Sequence, residues 1–125
     1  VKVFLIPSDW DAPMVEHDAP GDDEGFAEWC RAQVGGYLEL IPLRAFQRSG
    51  LMMWVNEDAK REQRLPNLRA TRVAMLAPRD FIAGEAVITG SQGPEVRSVP
   101  VDFDTWIQIV DGFKSIPMSG RVEGV

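Results

Sequence analysis

Phe26, Trp29, Cys30 and Val34 recur at the spacing of one helical face, and the stripe stops at Gly35-Gly36, after which Tyr37 to Ile41 reads as a strand. Gly35 stands where a helix needs a left-handed residue at its end, a conformation glycine adopts without a Cβ penalty. Asp22 or Asp23 supplies the side-chain cap at the other end. A helix of defined length thus turns into a strand within two residues. The chain is thereby committed to a mixed architecture in which helices pack on a sheet.

The remaining elements follow from periodicity and punctuation. Lys2 to Ile6 is β-branched and aromatic enough for a strand that Pro7 ends, and Asp9 to Gly21, acid-rich and proline-bearing, reads as a loop. Pro42 limits the strand from Tyr37 to an edge or to its own end, and Leu51 to Val55 is its hairpin partner across the Arg44-to-Gly50 loop. Asn56-Glu57-Asp58 begins a turn. Asn67, after Pro66, is expected to cap a helix from Leu68 to Ala77 that Pro78 closes. Phe81 to Thr89 reads as a strand in which Gly84 marks a bulge or a close approach. From Val99 to Val110 the β-branched residues suit a strand, but Phe103, Trp106, Ile107 and Val110, with Asp102 as cap and Gly112 as stop, favour a helix. These elements give an α+β fold, a small and largely antiparallel sheet packed with two or three helices. Residues 1–114 form the expected single domain, and 115–125 a flexible C-terminal tail.

Four segments in order carry a family resemblance: Val34-Gly35-Gly36-Tyr37, Asn56-Glu57-Asp58-Ala59-Lys60, Pro66-Asn67-Leu68-Arg69-Ala70-Thr71 and Asp80 to Gly90. They resemble the VGGY, NExGK-like, PNxxAT and DxIxGxAVxxG elements of a domain-of-unknown-function family found mostly in bacteriophages and actinobacteria. The resemblance runs from about Val34 to Gly90, leaving the acidic loop and the C-terminal extension outside it, and Ala59 stands where the family often has glycine. It implies a phage accessory protein of unknown activity and no catalytic signature.

Composition narrows the function classes. With 45% apolar residues in 125, the chain can bury a core without staples. No apolar run approaches a membrane span, so a cytoplasmic protein is expected, in the host cytosol if phage-encoded. A net charge of -6 argues against indiscriminate nucleic-acid coating. The one histidine, His17, and the one cysteine, Cys30, lack ligand spacing, and the Asp22-Asp23-Glu24 run is explained by the helix dipole, so no metal and no cofactor is expected. Cys30 lies in the apolar stripe near acids, the wrong setting for a nucleophile, and no hydrolase or Walker motif is present, so no catalytic residue is assigned. Gly35-Gly36 follows a helix C-terminus, where the dipole opposes an anion.

Two surfaces remain as candidates. Arg69, Arg72 and Arg79, with Lys60, Arg61 and Arg64 upstream, could grip phosphates or carboxylates, or be a solvated face neutralised by the protein's own acids. Met52 and Trp54 alternate away from Leu51, Met53 and Val55, and are either an exposed binding patch or a pair covered by Trp106 and Ile107. The first expectation is a non-enzymatic interaction protein acting on a host or defence factor through the arginine surface or the Met52/Trp54 patch. The second is a binder of nucleic acid or a nucleotide-like anion through the same arginines, and an enzyme built on scattered acids and arginines is the third.

Overall fold

The computed structural model describes residues 1–43, 46, 50–77 and 79–113. Most of the Arg44-to-Gly50 loop, Pro78 and the tail from 115 lie outside the described residues. The elements are β1 (Lys2–Ile6), β2 (Val15–Asp18), α1 (Asp23–Val34), β3 (Leu38–Ile41), β4 (Leu51–Asn56), α2 (Leu68–Val73), β5 (Ala86–Gln92), β6 (Glu95–Arg97) and α3 (Phe103–Phe113). All pairings are antiparallel, in the order β2-β1-β5-β4-β3, with β6 also on β5. The fold is a small α+β fold, a largely antiparallel six-stranded sheet with three helices, as the sequence predicts.

Alternation along the central strands divides the core into two. On one face Phe4, Ile6, Met53, Val55 and Ile88 pack with α2 and α3, and the Trp106 ring stacks on Phe4 at 5.5 Å. On the other, Val3 and Val87 meet Phe26, Cys30 and Val34 of α1. Asp22 caps α1 by accepting the Gly25 N–H at 2.9 Å, and Gly35 closes it at φ 83°, its N–H donating to the Arg31 carbonyl. Both ends of α1 lie where the apolar stripe and the glycine place them.

Several boundaries differ from expectation. The acidic segment is not all loop: β2 pairs with β1, from Lys2↔Asp18 to Leu5↔Val15. Most of β2 is exposed, so burial leaves no period to read. The strand expected from Phe81 begins only at Ala86, because Gly84 at φ 77° turns the chain first. The short β6 was not foreseen. α2 ends at Val73, before Pro78, because Met75 turns left-handed at φ 57° while the Met75 and Leu76 N–H groups bond back to the Arg72 and Thr71 carbonyls. α3 is a helix, capped by Asp102 through the Thr105 N–H at 2.8 Å, but it runs through Gly112 to Phe113.

One buried side chain joins three of these parts. Asn67 is fully buried and caps α2 by accepting the Ala70 N–H at 3.0 Å. Its Nδ2 donates to the Ile6 carbonyl at the end of β1 (2.8 Å) and to the Gly84 carbonyl before β5 (2.9 Å). Thr71 completes the knot, donating to the Asn67 carbonyl and accepting the Ile82 N–H. Asn67→Ala removes a cap of about 1 kcal/mol and strips two buried carbonyls of their donor at about 1–3 kcal/mol each. Urea unfolding is expected to show a loss of about 3 kcal/mol or more; a loss below about 1 kcal/mol contradicts the role assigned to Asn67.

Candidate interaction site

The arginines do not form an exposed line. Arg69 is 8% exposed, and its Nη2 donates to the Pro7 and Asp9 carbonyls, both at 2.9 Å. Burial lowers its pKa, opposed by the charges of Asp9 and Glu85. Arg72 is half-buried with its guanidinium 5.3 Å from the centre of the Trp10 ring. Arg64 bonds Glu62 at 2.8 Å and the Gly35 carbonyl at 3.2 Å. Arg61 pairs with Asp58 at 2.8 Å, and Lys60 pairs with Asp80 while lying over the Phe81 ring. The basic segment is therefore neutralised by its own neighbours rather than by Asp22, Asp23 or Glu24. Arg79 is exposed on the turn after α2, with no ion pair among the described residues.

Met52 and Trp54 are half-buried on the α1 face of the sheet. The Trp54 Nε1 donates to Thr89 at 3.0 Å, and Phe26 meets the indole edge-on at 5.6 Å. The cover comes from α1; Trp106, expected to supply it, is buried on the opposite face beside Phe4. Cys30 is fully buried, and loss of solvent pushes its thiol up to about 12 in spite of Arg31. Among the described residues no group of three or more histidine, cysteine or acidic side chains is placed to hold a metal. No helix among them is long and apolar enough to cross a membrane.

The segments that carry the family resemblance converge at the β3 side of the sheet. Gly35 ends α1, the Tyr37 carbonyl accepts the Glu57 N–H at 2.8 Å, and the Asn56 side chain accepts the Asp58 N–H while donating to Glu62. Pro66 bridges to Ala83. Beside them, between β3, the turn after β4 and the segment from Asp80, lies a cleft of about 150 Å³ with Glu39, Glu57, Lys60 and Asp80 as its charges and Ile41 and Phe81 among its apolar walls. It continues at Ile41, Leu76 and Asp80 into a shallower hollow of about 310 Å³ that reaches Met75 and Arg79. The cleft itself admits a side chain, and with the adjoining hollow the concavity reaches the lower part of the roughly 300–1,000 Å³ range of pockets that enclose drug-sized ligands.

The strand beside this cleft is open. β3 ends the sheet order, and among the described residues no backbone group pairs with its outer side. Because the Tyr37 carbonyl turns toward β4, so do the backbone groups of Glu39 and Ile41, and those of Leu38 and Leu40 turn outward. Tyr37 is 70% exposed and Leu40 48%, and Glu39 and Glu57 are exposed without an ion pair among the described residues. None of these four was a candidate from the sequence. Pro42 was the one signal for the edge, and Tyr37 stood in view within its motif.

The model of a family described as a domain of unknown function (DUF3846) matches residues 1–113. The chain belongs to this family. The match bears out the resemblance and extends it over the acidic segment with β2 and over α3, both of which the motifs had left outside. Comparison with curated proteins and with solved structures finds no match.

Two outcomes test these placements. In the native protein at neutral pH, Cys30 is expected to react with iodoacetamide at least about 100-fold more slowly than in urea, read by mass; fast native labelling reopens it as a nucleophile. Arg69→Glu is expected to cost about 3 kcal/mol or more in urea unfolding, since it leaves two carbonyls unbonded and buries a charge, while Arg79→Glu stays within about 0.5 kcal/mol. Equal and small effects would return Arg69 to the surface.

Proposed function

We propose that the protein is a non-enzymatic interaction protein that holds a partner protein along the outer edge of β3 and the adjoining cleft. The observation that carries this reading is the open edge itself, with the Leu38 and Leu40 backbone groups turned outward beside a side-chain-sized cleft. Unpaired strand edges are templates for pairing with another chain, and pockets beside them read alternate side chains of the added strand. For a phage-encoded member of the family the partner is a host or defence factor met in the host cytosol.

The second reading, nucleic acid or a nucleotide-like anion held by Arg69, Arg72 and Arg79, has less support. Arg69 and Arg72 are engaged inside the fold, Arg79 alone of the three has no partner among the described residues, and the cleft carries acids. Leu40→Pro separates the two readings, because it removes an outward N–H from the edge without taking a bond from β4. In affinity capture from nuclease-treated lysate, the wild type and Arg79→Glu are expected to retain a protein that Leu40→Pro loses. Retention by Leu40→Pro, or capture that nuclease abolishes and Arg79→Glu weakens, overturns the edge reading.

A further inference from the structure

We infer that the occupant of the β3 edge is an extended segment of another protein carrying a lysine or arginine opposite Glu39, and that a second copy of this chain is kept from the same place. The inference rests on the edge reading above and adds the chemistry of the occupant.

With Leu38 and Leu40 turned outward, an added antiparallel strand bonds to both, and Glu39 between them faces its opposite residue in the closer kind of pair, about 4.5 Å between Cα atoms. Side chains of such a pair share one face of the sheet. For Glu39 that is the cleft face, where Glu57 follows Val55, the β4 residue directly opposite Glu39. Both carboxylates are exposed without an ion pair among the described residues, and the cleft's own cation, Lys60, is committed to Asp80 and the Phe81 ring. A basic side chain opposite Glu39 therefore meets two free carboxylates beside a cleft of about 150 Å³.

The same geometry acts against self-pairing. The antiparallel two-fold register that uses both outward residues sets Leu38 against Leu40 of the second copy and Glu39 against Glu39 of the second copy. Like charges directly opposite are destabilising. Sliding one way places Leu38 opposite Pro42, which has no N–H, and sliding the other way places Leu40 opposite Gly36, outside the strand.

A bead-bound random heptapeptide library, selected on the wild type and counter-selected on Leu40→Pro, tests the occupant. The enriched peptides are expected to share lysine or arginine at one position and to bind Glu39→Lys at least about tenfold more weakly, with a peptide Lys→Glu change restoring binding to that variant. Edge-dependent peptides that lack a basic position, or that bind Glu39→Lys equally well, overturn the inference and leave the edge reading standing. If no peptide distinguishes the wild type from Leu40→Pro, both fall. Sedimentation tests the exclusion: the wild type is expected to be monomeric and Glu39→Val to self-associate. A wild-type dimer broken by Leu40→Pro, or a Glu39→Val variant that stays monomeric, overturns the like-charge argument.

Discussion

The buried amide of Asn67 is the point on which the two sides of the molecule meet. It holds the end of β1, the start of α2 and the turn into β5 with three hydrogen bonds, all inside the core. Buried carbonyls left without donors are costly, so the loop from Pro66 to Gly84 cannot move away from β1 without exposing or orphaning Ile6 and Gly84. That loop carries Lys60's partner Asp80 and the wall of the cleft formed by Phe81. The Ile82–Ala83 wall of the cleft is thus tied to the start of α2, where the Asn67 N–H also donates to the Ile82 carbonyl at 2.7 Å.

A second constraint leaves the edge open. One face of the sheet is covered by α1 and the other by α2 and α3, packed against the central strands β1, β5 and β4, and β2 closes the sheet beyond β1. β3 joins these layers on its inner side only, through Leu38 on the α1 face and Ile41 on the other: it is short, only partly buried, and follows α1 after a glycine turn that delivers it to the outside of β4. Natural edges are commonly blunted by charge and proline, and β3 has Glu39 at its centre and Pro42 just past its end.

How much of this was legible follows from where burial leaves a period. α1 was readable because its buried face, cap and terminal glycine agree, and α3 because Phe103, Trp106 and Val110 share one side. The hairpin of β3 and β4 was readable from two strand-like runs set off by Pro42 and the Arg44-to-Gly50 loop. β2 and β6 were not, since short strands at the sheet margin bury too little to alternate and are held by backbone bonds that any sequence can make. The arginines misled for a related reason. Helical spacing fixes which residues share a face, but the segment from Pro7 to Trp10 that buries Arg69 and shields Arg72 is distant in sequence. The cleft was invisible because its charges come from three separate segments, each ordinary alone.

The size of β3 decides how such an edge must work. Leu38 and Leu40 offer two N–H and two C=O groups, and at about 0.5–1.5 kcal/mol net for each hydrogen bond the backbone supplies about 2–6 kcal/mol. Association costs about 4–15 kcal/mol in lost freedom before any side chain is ordered. Strand pairing alone therefore leaves no stable complex, and a sticky edge of this length does not capture strands indiscriminately. The remainder has to come from side chains: apolar contact with the exposed Tyr37 and Leu40, and a charged head beside Glu39 and Glu57. A short edge next to a small acidic cleft makes the backbone the guide that sets register and the side chains the source of both affinity and choice of partner.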